Sequence, residues 1–214
     1  MFPESFFEKS PPYFGQIDKD RLVESLKQFH EENTNLISYD DFFINSDCDY
    51  LMQSDFIQPL QGVIWKDENT GFETNYMPAI LLSNTCDLSD DNERGINVKN
   101  ALFAPVVGLT KYVNTLKECG KEDSQINGFI NTIKRQGFSN LIYLPPYDSQ
   151  KENIGYIVFL DKVFYRPTNS LKPIFEDLPN RRIRSLSHFG FYLFLLKTIN
   201  HFGRIPEELE KRSA

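Results

Sequence analysis

The chain has 214 residues, 40% hydrophobic and 25% charged, with 23 Lys and Arg against 30 Asp and Glu for a formal charge of −7. Such a length builds its own core without disulfides or metal, and the acidic balance excludes sequence-independent wrapping of nucleic acid while leaving room for a local basic groove. No run of about 18 uncharged apolar residues offers a membrane span, the N-terminal MFPESFFEKSPPYF lacks a basic-then-apolar signal pattern, and Cys48, Cys86 and Cys119 form no CxxC beside only 3 His; a cytoplasmic protein with no metal, no cofactor and no membrane contact is the expectation.

Residues 1–18 are aromatic and Pro-containing without a clear period, which suits an arm packed on the body better than a solvated tail. Asp18 is placed to cap a helix over about residues 20–32, whose Leu22, Val23, Leu26 and Phe29 follow helical spacing. Residues 36–60 mix Asp, Asn and Ser clusters with aromatics and read as loop with short helical turns, so 1–60 is taken as a helical arm and 61–214 as the body, with Phe42 and Phe43 in the core. From Gly62, GVIWK, MPAILLSN and ALFAPVVG are short apolar runs bounded by Gly, Pro, Asn and Asp, the texture of buried strands. KDENTG is a turn signal, FETNY extends the hairpin, and TCDLSDDNERG reads as an acidic surface loop.

Lys111–Gly120 and Ser124–Arg135 have helical spacing, with Val113, Leu116, Ile126, Phe129, Ile130 and Ile133 inward and Gly120 and Gly137 as stops. They form a helical insertion over about 111–137. NLIYLPP and GYIVFLDKVFYRP return to strand texture, LKPIFEDLPN reads as extended, and Ser185 or Ser187 caps a last helix over about 186–203. Phe189, Tyr192, Leu193, Leu196 and Ile199 fall on one side of it, and Phe191, Phe194 and Leu195 broaden the apolar surface. A helix apolar nearly all round is covered on several sides, here across the body or in a contact between two copies.

SNTCDLS is the most pointed local feature. Cys86 as a nucleophile would need a partner that lowers its thiol pKa, and the adjacent Asp87 does the opposite; a small buried thiol at a strand end, with Asp87 capping the next turn, is the simpler reading. A Cys-dependent hydrolase would need His188 or His201 over Cys86, and these two point to different faces of one helix, so they cannot share a metal. The acids Asp87, Asp90, Asp91 and Glu93 fit no EF-hand spacing and read as a solvated loop. RRIR, with Arg181, Arg182 and Arg184, is the one compact basic patch; it suits either a phosphate or an acidic partner, or pairing with Glu176 and Asp177 just upstream.

The order GVIWK, polar hairpin, MPAILLSN, ALFAPVVGLT resembles the opening of MazF/PemK-like toxins. Gly62, Val63, Ile64 and Trp65 carry the first piece, Pro78 to Asn84 the second, and Ala104 and Pro105 the third; GYIVFLDKVFYRP is similar to the later family strand before a final helix. The likeness spans about 61–169. It implies an α+β protein built on a central SH3-like β-barrel, here with an N-terminal helical arm, a helical insertion and a long C-terminal helix. It also implies metal-independent cutting of single-stranded RNA, which needs a cation on the phosphate and groups that move protons. The family's Arg before the Pro is Met77 here, and a thioether neutralises no phosphate charge. Lys66, Lys111 or Arg166 would have to replace it, with Lys66, Asp87 and Thr110 as candidate catalytic groups and Glu68 or Glu73 as the loop acid. Two functions follow as expectations. One is a catalytically altered domain serving as a protein-interaction or regulatory module in a toxin–antitoxin or phage-defence setting, with a binding groove of Ser83, Asn84, Cys86, Asp87, Arg181, Arg182 and Arg184. The other is an endoribonuclease acting on single-stranded RNA. A protein partner, single-stranded RNA and a homodimer are the partners these readings imply.

Overall fold

The structure is a computed structural model that describes residues 42–67, 71–88, 99–147 and 153–203, the side chains of 63–67, 71–73, 86 and 87 being outside that description. The arm expected over 1–18 and the helix expected over 20–32 lie outside the described residues.

The protein is α+β. Its strands are β1 (Phe43–Ile44), β2 (Phe56–Asp67), β3 (Gly71–Leu81), β4 (Asn100–Gly108), β5 (Leu141–Leu144), β6 (Tyr156–Phe159), β7 (Phe164–Pro167) and β8 (Arg182–Leu186). Its helices are α1 (Thr85–Leu88), α2 (Leu109–Glu118), α3 (Asp123–Lys134), α4 (Lys172–Phe175), α5 (Leu178–Arg181) and α6 (His188–Gly203). The strands pair antiparallel in the order β1-β8-β2-β3-β4-β6-β5, and β7 pairs with the first half of β4. Strand β4 changes partner along its length: Asn100–Phe103 face β7, whereas Val106–Gly108 face β6. That switch curls the sheet.

Alternate residues of the same strands feed different cores, because successive side chains in a strand point to opposite faces. Phe56, Ile80, Ala104, Val106, Ile142, Leu144 and Val158 pack inside the curl with Leu193 and Phe194 of α6. Ile57, Ala79, Leu81, Ala101, Phe103 and Phe164 pack outside it under Leu171 and Leu178. Leu141, Tyr143, Ile157 and Phe159 form a third cluster with Leu109, Val113, Ile126 and Ile133 of α2 and α3. The helical insertion thus covers the outer face of β5 and β6. Strands covered on both faces are apolar throughout, which is why these segments read as continuous apolar runs rather than alternating ones.

Several expectations need correction. Residues 43–60 supply β1 and the first half of β2 rather than a helical arm, and a boundary at 61 falls inside β2. Pro59 hid this strand, and it sits in a register break between Ile57 and Leu60, where a missing N–H costs nothing. LKPIFEDLPN is helical, in α4 and α5, with Pro173 and Pro179 in first turns that need no N–H partner there. RRIR enters strand β8, and Ser187, not Ser185, caps α6 by accepting the Gly190 N–H at 3.2 Å. On α6, Tyr192 and Ile199 do not join the buried side, which is Gly190, Leu193, Phe194, Leu196 and Lys197. Gly120 does end α2 with φ +76°, but Gln136 (φ +58°), not Gly137, takes the left-handed position after α3.

Gln136 has a second task. Its side-chain amide donates to the Tyr143 carbonyl at 2.8 Å and accepts the Tyr143 N–H at 3.1 Å, so it stands in for a neighbouring strand at the outer edge of β5. Pro145 follows directly, and the edge is closed to further pairing. The Lys197 ammonium of α6 anchors this turn by donating to the carbonyls of Gln136, at 2.8 Å, and Phe138. Replacing Gln136 with Ala is expected to speed Tyr143 amide exchange by about tenfold or more and to raise the sedimentation mass at high concentration. An unchanged exchange rate and mass would show the edge to be guarded otherwise.

Burial lowers the Lys197 pKa from 10.5 to about 8. Between these values the unfolded chain binds the extra proton, so stability rises with pH through that window and the penalty is fully present below it. Urea unfolding of wild type is expected to gain up to about 3 kcal/mol from Lys197 between pH 8 and pH 10.5, and Lys197→Met to lack that increment.

Candidate functional site

The end of the sheet where β2 begins and β3 ends gathers most of the polar residues singled out above. Asp55 lies just before β2, with its N–H on the Met52 carbonyl at 2.9 Å and its own carbonyl accepting the Leu81 N–H at 3.1 Å. Its carboxylate faces Arg182 on β8, with Nε to Oδ2 at 2.9 Å and both side chains at or below 5% exposed. Ser185 donates to the other carboxylate oxygen at 2.6 Å and the Met52 N–H to Oδ2 at 2.9 Å. Burial pushes the Asp55 carboxyl above its usual range, against the pull of Ser185, Met52 and Arg182 in the other direction.

The remaining guanidinium donors of Arg182 hold a loop. Nη1 reaches the carbonyls of Ser46 at 3.1 Å and Cys48 at 2.7 Å, and Nη2 that of Tyr50. Only a planar fork with five donors can serve a carboxylate and three carbonyls at once. The loop so fixed turns Asp47, Asp49 and Tyr50 outward, Tyr50 being 52% exposed.

Gln53 ties the same end to the groove residues. Its N–H donates to the Thr85 hydroxyl of α1 at 2.7 Å and its amide to the Leu82 carbonyl at 2.7 Å. Ser83 spends its hydroxyl on the Leu102 N–H at 2.9 Å, while Asn84 is exposed. Cys86 and Asp87 lie on α1. Of the basic patch, Arg181 pairs with Asp177 at 3.6 Å, Arg182 is buried, and the Arg184 guanidinium covers the Tyr147 ring at 5.1 Å. Arg182 is therefore a scaffold residue and offers nothing to a groove.

The candidate catalytic residues are not brought together. Thr110 sits in α2, two residues past the end of β4 at Gly108, and Gly108 is itself six residues beyond Leu102, about 20 Å along the strand from the Ser83 end. Lys66 lies near the tip of the β2–β3 hairpin, ten residues along β3 from Leu82 or about 30 Å. At its own corner, Thr110 accepts the Ile154 N–H on its hydroxyl at 3.2 Å and donates its N–H to Asn153 at 3.3 Å. Thr110, Lys111, Asn114, Glu118 and Asn153 border an open depression of about 580 Å³ there. Met77 packs on the outer core, and Arg166 points its guanidinium at the Gln61 amide at 3.5 Å. Glu68 lies outside the described residues, and Glu73 is on β3. His188 begins α6 on the surface and His201 lies in its last turn. Among the described residues no group of three His, Cys, Asp or Glu is placed to hold a metal ion, and no helix is long and apolar enough to cross a membrane.

Asp55, Ser185 and Tyr50 were not legible as site residues. Asp55 and Arg182 are 127 positions apart, and no local spacing announces such a pair. The one available signal is the isolated acid in QSDFIQ, hard against an apolar strand. Comparison with family models, with curated proteins and with solved structures finds no match for this chain.

Arg182→Lys keeps the charge but cannot reach four acceptors, and Asp55→Asn leaves a buried cation without its counter-ion. Each is expected to cost about 3–5 kcal/mol in urea unfolding. In Arg182→Lys the Cys48–Tyr50 amides should lose exchange protection first; uniform loss across the sheet would mean that the loop is held by something else.

Proposed function

We propose that this protein is a protein-interaction or regulatory module, a catalytically altered MazF/PemK-like domain whose contact surface is the end of the sheet around the 46–50 loop. The observation that carries this reading is the Arg182 clamp. Three backbone carbonyls of an exposed loop are fixed by one buried guanidinium, so Tyr50 is presented directly after Asp47 and Asp49 on a loop whose backbone is held in place. Pre-ordering of this kind removes the entropy cost of binding, and an exposed Tyr on a rigid loop is a typical anchor for a protein partner. The acids beside it suit a basic partner surface, consistent with the overall charge of −7.

The same reading fits the position before Pro78, where Met77 contributes to a packed core instead of a cation. It also fits the separation of Lys66, Asp87 and Thr110, since proton transfer and phosphate neutralisation must act within hydrogen-bond reach of one scissile bond. The setting implied by the resemblance is toxin–antitoxin or phage defence in the cytoplasm. The competing reading, a metal-independent endoribonuclease, draws on Thr110 and Lys111 bordering one depression.

A long unstructured RNA incubated with the protein in EDTA is expected to stay intact, with wild type and Thr110→Ala indistinguishable. A basic partner protein recovered from the native host should bind wild type and Thr110→Ala equally and lose about 2 kcal/mol or more of affinity on Tyr50→Ala. Cleavage at discrete sites that Thr110→Ala abolishes would replace the interaction reading by the nuclease one.

A further inference from the structure

Strand β3 outruns one of its two neighbours. It has 11 residues and lies along β2 for nearly all of them, but along β4 only at Ala79, Ile80 and Leu81. From Pro78 back to Gly71 that edge has no neighbouring strand among the described residues. The direction of hydrogen bonding alternates along a strand. Leu81 bonds towards the start of β2: its carbonyl accepts the Ser54 N–H at 2.8 Å, and its N–H donates to the Asp55 carbonyl at 3.1 Å. Leu82 bonds the other way, its N–H donating to the Leu102 carbonyl at 2.9 Å. The even-numbered residues of β3 therefore turn their main-chain groups to the β4 side. Pro78 has no N–H to offer there, and Val106, the residue it would meet, pairs with Val158 of β6 instead. Towards the hairpin tip, Tyr76, Thr74 and Phe72 follow with N–H and carbonyl both turned to the open edge.

Thr74 and Asn75 are exposed over this stretch, and Tyr76 is 74% exposed. An open edge of this length is a template for another strand, and proteins ordinarily blunt it. This chain does so elsewhere: Gln136 and Pro145 close β5, β1 has two residues, and β7 has four and ends in Pro167. Between Phe72 and Met77 stands neither Lys nor Pro. The stretch also points to its occupant. It runs from Phe72 to Pro78 with Asn75 at its middle, so an identical strand laid antiparallel about a two-fold axis at Asn75 overlaps it from end to end. In that register Thr74 of each copy lies opposite the partner's Tyr76 with both bonds exchanged, and the Phe72 N–H faces the carbonyl of the partner's Pro78. Thr beside Tyr is a favourable cross-strand pair. Residues 74–77 carry no charge, so two copies of a chain of charge −7 meet on a neutral strip. The two Glu73 positions stand about 13 Å apart along the joint, beyond the screening length of ordinary salt. A strand of another protein would find no charge at 74–77 to select it, whereas a copy matches both ends of the stretch.

We propose that this protein forms a two-fold dimer in which β3 of one copy pairs antiparallel with β3 of the other over Phe72–Pro78, joining the two β2–β3 hairpins into one continuous sheet. The joint is separate from the 46–50 loop, because Tyr76 lies about 17 Å along β3 from Leu81, where Asp55 is bound. Dimerisation therefore leaves that loop free for a further partner.

Sedimentation and hydrogen exchange on the full chain, each over a range of protein concentration, test this. Wild type is expected to sediment as a dimer at micromolar concentrations, with the Thr74 and Tyr76 amides gaining protection as the dimer forms. Tyr76→Pro removes an outward N–H without touching the β2 ladder and is expected to give a monomer. Thr74→Lys sets a charge against the partner's Tyr76 and should weaken the dimer by about tenfold or more. Asn75→Cys should give a disulfide-linked dimer with oxidised glutathione, since the two axis positions face each other with Cα atoms about 4.5 Å apart, and wild type under the same conditions should not. A wild-type monomer at every concentration would overturn the proposal, as would a dimer that Tyr76→Pro and Thr74→Lys leave unchanged. A Tyr76 amide equally protected at all concentrations would overturn it too, because the edge would then be held within one chain. If Tyr76→Pro fails to fold, Thr74→Lys on the exposed edge decides alone.

Discussion

The buried ion pair of Arg182 and Asp55 joins more of this structure than any other polar contact described. Through Asp55 it reaches the start of β2, and through the Asp55 carbonyl it reaches the end of β3; Arg182 and Ser185 bring in β8, and the guanidinium fixes the 46–50 loop. Taking two charges out of water is costly, and the pair persists because nearly every donor and acceptor on it is used. Its value is geometric. It sets where β8 lies against β2, and from β8 the chain turns directly into α6. A hydrophobic pair of equal volume would fill the space but would leave the carbonyls of Ser46, Cys48 and Tyr50 without that shared donor.

Around that fixed corner the inner parts of the strands are packed on both faces. Small residues set the spacing: Ala79, Ala101 and Ala104 are wholly buried, and a Cβ on Gly62 would lie 3.1 Å from the Phe164 ring. Phe103 and Phe164 stack in the space so left, with centroids 5.9 Å apart. Inside the curl, the margins of the sheet meet through side chains. Tyr147, just past β5, stacks on Tyr156 at 5.3 Å, lies under Arg184 of β8, and touches Phe43 of β1 and Phe56 of β2 edge-on. The curl is drawn together by aromatic and cation–π contacts where strand pairing ends.

These commitments shape what is left for binding. The basic patch that the sequence advertises is mostly consumed by the scaffold, in the Asp55 pair, the Asp177 pair and the Tyr147 stack. Thr110 is tied to the segment before β6, where Gly155 (φ +130°) brings the backbone against the Tyr143 ring. What stays outward near the clamp is an acidic loop with one Tyr, next to Asn84 and the Arg181–Asp177 pair. A surface of that make-up recognises a partner by shape and charge, whereas phosphate chemistry asks for converging cations.

The local elements were legible because they rest on short-range rules. Val113, Ile126 and Ile133 repeat at helical spacing and are buried; the Lys66–Gly71 turn signal stands between β2 and β3; Ser187 stands where a cap is needed, and α6 follows. The apolar runs declared buried strands, although nothing in them told which face each residue would serve. By itself the sequence determined an α+β chain with α2, α3, α6 and most of its strands in place, because propensity, caps and periodicity act within a turn or two. Only the tertiary structure decided that Phe56–Gln61 pairs despite Pro59, that RRIR becomes a strand with Arg182 inside, and that Gln136 closes the β5 edge. The first two depend on a register irregularity or on a partner far along the chain, and the third on a left-handed turn at Gln136 that sets its amide against Tyr143; the energy of such contacts is set by where the fold puts the partner, not by local propensity.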